Sequence, residues 1–158
     1  MRKVLAGLAA LAAVCGAAVP AGAAGAAVAG GPEADLAYHG AVSMTDGTVG
    51  VRFTPANHGP SAAPDVTVRL RWSAALADRQ ELPEGCARSG PRVVLCRVGA
   101  LPADGLGEQI ALRVRLRAAP SEVLLVVDTV WSGGTVDPNR RNDRQRVLVL
   151  DTGDEYYF

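Results

Sequence analysis

Val66-Thr67-Val68-Arg69-Leu70-Arg71-Trp72 sets an apolar side chain at every second position and polar ones between. Successive side chains of an extended chain point to opposite sides, so this stretch reads as a strand with one dry and one wet face. Ile110-Ala111-Leu112-Arg113-Val114-Arg115-Leu116-Arg117 repeats the pattern. No window of comparable strength carries the helical period. The chain reads as all-β.

Working outward from these two segments, β-branched runs bounded by turn residues predict further strands at 36–44, 48–55, 92–98, 122–131 and 144–150. Asp46-Gly47 supplies turn chemistry between the first two, and Asn57-His58-Gly59-Pro60 and Asp137-Pro138-Asn139 supply it elsewhere. The run 122–131 is apolar enough for burial on both faces. About seven strands in a chain of this size predict an immunoglobulin-like β-sandwich over residues 30–150. Residues 30–35 read as a loose lead-in and 151–158 as a tail. The segment 73–83 is ambiguous, since Ala74-Ala75-Leu76 is compatible with a helical turn.

The alternation names a core: Leu36, Val51, Phe53, Val66, Val68, Leu70, Trp72, Val94, Ile110, Leu112, Val114, Leu116, Val126, Val130 and Leu148. That phase also turns Asp128 inward, and a buried carboxylate needs a partner. An arginine or a backbone turn must then supply it, or the phase is wrong for this strand.

The ends speak to compartment. Met1-Arg2-Lys3 precedes a short apolar, alanine-rich stretch ended by Pro20, and A-x-A spacing allows cleavage after Ala23, Ala26 or Ala29. Residues 1–29 therefore read as a secretory signal peptide. The stretch is shorter and less apolar than a spanning helix requires. Cys15 lies within it, preceded by Val14 and followed by more apolar residues, and reads as a passenger of the leader. Downstream, fourteen arginines face sixteen Asp and Glu, a net charge of −2 that argues against a nucleic-acid partner. Arginine without lysine, with abundant Ala, Gly and Pro, is the composition of a GC-rich bacterial genome of actinobacterial type.

Cys86 and Cys96 are the two cysteines downstream of the leader. In an exported protein such a pair predicts a disulfide. They flank Ser89-Gly90-Pro91-Arg92, so they can face each other across a hairpin. Zinc would need four ligands, and neither His39 nor His58 stands at ligand spacing from them. No metal and no cofactor are expected.

Candidate chemistry is sparse. There is no G-x-S-x-G, and the two histidines sit in a turn and a strand, so no catalytic residue is assigned and the chain is not expected to be an enzyme. Asp137, Asn139, Asn142 and Asp143 could in principle hold Ca²⁺, but their spacing matches no calcium loop, and satisfying backbone groups of a turn is the favoured role. Arg69, Arg71, Arg113, Arg115 and Arg117 occupy wet faces. Attraction to polyanions is one reading, and a solvated, aggregation-resistant face is the favoured one. Tyr156, Tyr157 and Phe158 end the chain after Asp154 and Glu155. They are the candidate partner-binding residues, aromatics serving as anchors.

Three blocks, in order, resemble a known family. They are Asn57-His58-Gly59-Pro60-Ser61 with the strand from Val66; Gly85-Cys86, Gly90 and Val94-Leu95-Cys96-Arg97-Val98-Gly99-Ala100-Leu101; and Asp137-Pro138-Asn139 with Asn142-Asp143. Together, over residues 34–150, they resemble the bacterial extracellular Ig-like repeat catalogued as domain of unknown function eleven, here in single copy. That resemblance implies an extracellular, non-catalytic module and transfers no catalytic residue. The expected function is a secreted binding or adhesion module acting on a cell-surface polymer or another exported protein, without membrane attachment once the leader is cleaved. It would sit outside the cell or on its wall. The alternative is a secreted protease inhibitor presenting the Cys86–Cys96 loop.

Overall fold

The computed structural model describes residues 30–158, and the expected leader and Cys15 lie outside the described residues. Ten strands follow in chain order: β1 (Leu36–Thr45), β2 (Thr48–Asn57), β3 (Ala63–Trp72), β4 (Cys86–Gly90), β5 (Val93–Leu101), β6 (Gly105–Leu106), β7 (Ile110–Arg115), β8 (Glu122–Trp131), β9 (Arg144–Leu150) and β10 (Tyr156–Tyr157). They build two antiparallel sheets. One runs β10-β1-β2, with β6 and β7 both pairing to β2, and the other runs β4-β5-β3-β8-β9. The chain changes sheet between β2 and β3, after β5, between β7 and β8, and after β9. This is an immunoglobulin-like sandwich, with β3 and β8 paired at the centre of the second sheet.

Local chemistry explains the elements. Asp46 and Gly47 take φ of 48° and 68°, the left-handed pair that a two-residue hairpin turn demands between Thr45 and Thr48. Each regular alternation places its apolar set inward. From β3 come Val66, Val68, Leu70 and Trp72, and they meet Leu36, Tyr38, Val51, Phe53, Leu112 and Val114, which β1, β2 and β7 of the facing sheet turn inward. Tyr38 stacks edge-on against Phe53 with centroids 6.2 Å apart. Its hydroxyl shares a hydrogen bond with Thr129 Oγ1 across the sandwich.

Two strands take the opposite phase to the expected one. The inward residues of β8 are Val123, Leu125 and Val127, and those of β9 are Val147 and Val149. Val130 and Leu148, expected in the core, are exposed, Ile110 is only half-buried at the rim, and Val126 is covered on the outer face. Both segments are continuous apolar runs, so alternation cannot set their phase. Pairing sets it, with Trp72 opposite Leu125 and Leu70 opposite Val127. Asp128 therefore lies on the outer face, directly across from Arg69, whose Nε donates to Oδ1 at 2.9 Å while Nη2 donates to Oδ2. The partner was an arginine and the expected facing was wrong.

The segment after β3 forms no helix. Leu76 makes an antiparallel bridge to Leu116, and Ala77 N–H donates to Arg115 O, so the segment ties the edge of β7 to the other sheet. Arg88 holds it there by donating to the carbonyls of Leu76, Ala77 and Asp78.

Cys86 and Cys96 are directly opposed on β4 and β5 and form the disulfide. Replacing both by serine is expected to cost about 2–3 kcal/mol, the loop-closure entropy of so short a ring. Urea unfolding of the double variant beside the oxidised protein measures it, and an unchanged midpoint would refute the estimate.

Candidate functional site

Residues 30–35 do not hang free. Glu33 forms a parallel bridge with Val136, and Ala34 N–H donates to Val136 O at 3.0 Å. Ser61 N–H donates to Glu33 O and His58 N–H to Asp35 O. The lead-in is thus threaded between the β2–β3 loop and the β8–β9 loop, at one end of the sandwich.

Two buried side chains pin that end. Asn57 is fully buried, and its Oδ1 accepts from the backbone N–H of Asp35 (3.1 Å) and Gly59 (3.0 Å). Its Nδ2 donates to Ser61 O (2.8 Å) and Pro102 O (3.1 Å). Gly59 beside it admits no side chain, because a Cβ there would stand 2.5 Å from Ala34 Cα. Asp137 accepts from Leu36 N–H at 2.9 Å and from Asn139 N–H at 2.8 Å. The first and third sequence blocks therefore converge on residues 34–36 from opposite sides. A buried backbone N–H needs an acceptor, and these side chains supply it in loops that have no ladder.

On this pinned base Val130, Trp131 and Val136 are exposed by 42%, 53% and 51%. Beside them opens a small cavity of about 110 Å³ lined by Leu36, Thr129, Trp131, Asp137, Arg140 and Asp143. Burial first, then the charge of Asp137, pushes the Asp143 carboxyl above its ordinary range, against an opposing pull from Arg140. An acid with a raised folded-state pKa stabilises the fold below the unfolded value and loses that contribution as pH rises. Asp143→Asn is thus expected to raise the melting temperature at pH 7 and to change it little at pH 3. Melts at the two pH values test this, and a lower melting temperature at pH 7 would contradict it.

Asn139 and Asn142 both direct Nδ2 to Asp35 Oδ1, at 3.3 and 2.7 Å. With Asp137 occupied by backbone donors, the calcium candidates serve as turn ligands. No group of three or more His, Cys, Asp or Glu suited to holding a metal ion occurs among the described residues. His39 is exposed on the outer face of β1 and His58 in the β2–β3 loop.

The tail lies elsewhere and is ordered. Tyr156 and Tyr157 pair with Val42 and Ala41 of β1, and Phe158 exchanges two backbone hydrogen bonds with Gly40. Tyr156 and Phe158 pack against the core, while Tyr157 is 73% exposed. Arg52 grips Glu155 through both terminal guanidinium nitrogens, Nη1 and Nη2, and Tyr157 Oη donates to Glu155 at 2.8 Å. These hydrogen bonds, with that from Arg52 the stronger, hold the Glu155 carboxyl down to about 2. Of the three candidate anchors, the fold leaves Tyr157 outward and turns the other two in.

The five arginines do not share a surface. Arg69 and Arg71 lie on β3, Arg113 and Arg115 on β7 of the other sheet, and Arg117 pairs with Asp78 at 2.7 Å. Sequence reasoning missed Trp131 and Val136, since nothing local marks an exposed apolar residue.

No family model matches the chain, and no match was found among curated proteins. Among solved structures it is similar to β-glucosidase 3B from Thermotoga neapolitana in complexes with glucose and with glycerol. Each match has a TM-score of 0.46 and 18% identity, over 79% of this chain and 17% of that one. A likeness this distant carries no argument about function.

Proposed function

We propose that the protein is a secreted, non-catalytic binding module that engages a cell-surface polymer or another exported protein through its β2–β3/β8–β9 end. The observation that carries this reading is the exposure of Val130 and Trp131 at the end of β8 and of Val136 in the β8–β9 loop, beside Asp137, which is tied to Leu36 and Asn139. Exposed apolar residues at a pinned end of the fold are what a partner buries, and tryptophan is a common anchor of such contacts. Fixed loops also lose little conformational entropy on binding. The resemblance of the three motif blocks to an extracellular repeat supports the same reading, as does the signal-like leader. The inhibitor alternative has less support, because a protease cleft takes an unpaired extended segment. Here Cys86, Ala87, Arg88 and Gly90 are laddered to β5.

A photo-crosslinking side chain placed at Val136 in the exporting host is expected to give a discrete adduct in the medium or wall fraction. The same side chain at Thr54, on the outer face of β2, should give none. Equal labelling from both positions, or none from Val136, would remove this end as the binding surface. Intact mass of the recovered protein, leader-cleaved and two hydrogens light, tests export and the disulfide together.

A further inference from the structure

The register of β3, β8 and β9 collects guanidinium groups that lie far apart in sequence. On the outer face Arg71 stands opposite Val126, and Val126 opposite Arg146. The next row holds Arg69, Asp128 and Arg144. Arg69 is paired with Asp128, and Arg97 of β5 with Asp65. Arg71, Arg92, Arg144 and Arg146 are exposed, and none has an ion-pair partner among the described residues. Among the outward residues of β8 and β9, the carboxylate outside those pairs is Glu122, at the far end opposite Leu150.

Strand geometry sets the spacing. Arg144 and Arg146 are about 7 Å apart along β9, and Arg71 and Arg146 about 10 Å apart across two strand intervals. Val126 faces outward yet is only 5% exposed. Flanking arginine stems shield such a residue and leave the charged heads in water. Between Arg71 and Arg92 a shallow cleft of about 180 Å³ is floored by Leu124 and Val126.

Four guanidiniums without ion-pair partners on one sheet face concentrate positive potential there, although residues 30–158 as a whole carry a net charge of −2. Guanidinium forks match phosphate oxygens, and an open sheet face suits an extended chain better than a small anion. We propose that this face docks a linear, phosphodiester-linked polymer of the cell surface through Arg71, Arg92, Arg144 and Arg146. This rests on export of the chain and is independent of the loop end, so either surface can fail alone.

The test titrates long-chain inorganic polyphosphate, across a range of salt concentrations, into the disulfide-bonded protein recovered from an exporting host. Three to four phosphate contacts predict that log K falls with log salt at a slope of roughly −2 to −3. Arg71→Gln with Arg146→Gln should weaken binding about tenfold and flatten the slope by about 1.4. Arg113→Gln with Arg115→Gln, on the other sheet, should leave affinity within about twofold, and all four sites are exposed enough to keep the melting temperature. Absent or salt-independent binding would overturn the proposal, and so would equal losses from the two double variants. Retention on phosphatidylglycerol vesicles without polyphosphate binding would assign the face to a lipid surface and overturn it as well.

Discussion

Asn57→Ala is expected to lower stability by about 4 kcal/mol, leaving two N–H donors and two carbonyls without the partners Asn57 gives them. A buried unsatisfied group costs about 1–3 kcal/mol each, and the total stays below the simple sum because some become wetted by the space vacated. For a domain of this size about 3 °C accompanies each kcal/mol, so the melting temperature should fall by roughly 12 °C. Asn57→Asp is the sharper companion. It keeps both acceptor bonds but turns a carboxylate oxygen toward Ser61 O and Pro102 O, so it should be no better tolerated than alanine at pH 7. Thermal melts of the two variants decide it. A fall of less than 3 °C for alanine would mean that the lead-in and the two loops are not held by this side chain. The lead-in beside Val136 would then lose its claim to rigidity.

Removal of residues 151–158 should have a comparable effect by another route. Tyr156 and Phe158 each cover part of the core, and burying an aromatic side chain is worth about 1.5–3 kcal/mol. Since both are partly buried, about 3 kcal/mol is expected for the pair. Truncation also strips backbone partners from Gly40 to Met44, including the Phe158–Gly40 exchange and the Gly153 N–H bond to Met44 O. A bare, regular edge strand invites pairing with another copy. The truncated protein should therefore melt at least 8 °C lower and elute partly as dimer or larger in size exclusion. A truncated monomer with an unchanged melt would return the last residues to the role of a free recognition tail. The Arg52–Glu155 pair adds a pH signature. With the folded carboxyl held near 2, its contribution is present above the ordinary carboxylate range and fades as pH falls toward 2.

The fold class was legible because β3 and β7 alternate strictly, and alternation has one physical meaning in an extended chain. The disulfide was legible because two cysteines on either side of one short turn have one short way to meet. The Asp46-Gly47 hairpin was legible because few residues accept left-handed backbone. Each is a local constraint, carried by neighbours in sequence.

What failed was non-local. Val147-Leu148-Val149-Leu150 presents apolar atoms on both sides, and only pairing with β8 turns the valines in and the leucines out. The tail reads as polar and aromatic in isolation, yet the open edge of β1 makes a strand of it. Asp137 and Asn57 look like ordinary turn residues, and it is the passage of 33–36 between them that makes each the acceptor for a distant backbone N–H. The arginine face arises the same way, from register between strands far apart in the chain. Sequence alone determined the periods, the turns and the cysteine pair, because those depend on dihedral preference and on side chains within a few residues. Tertiary structure decided which side of each apolar run faces the core and which polar groups meet, because both depend on what the opposing strand presents.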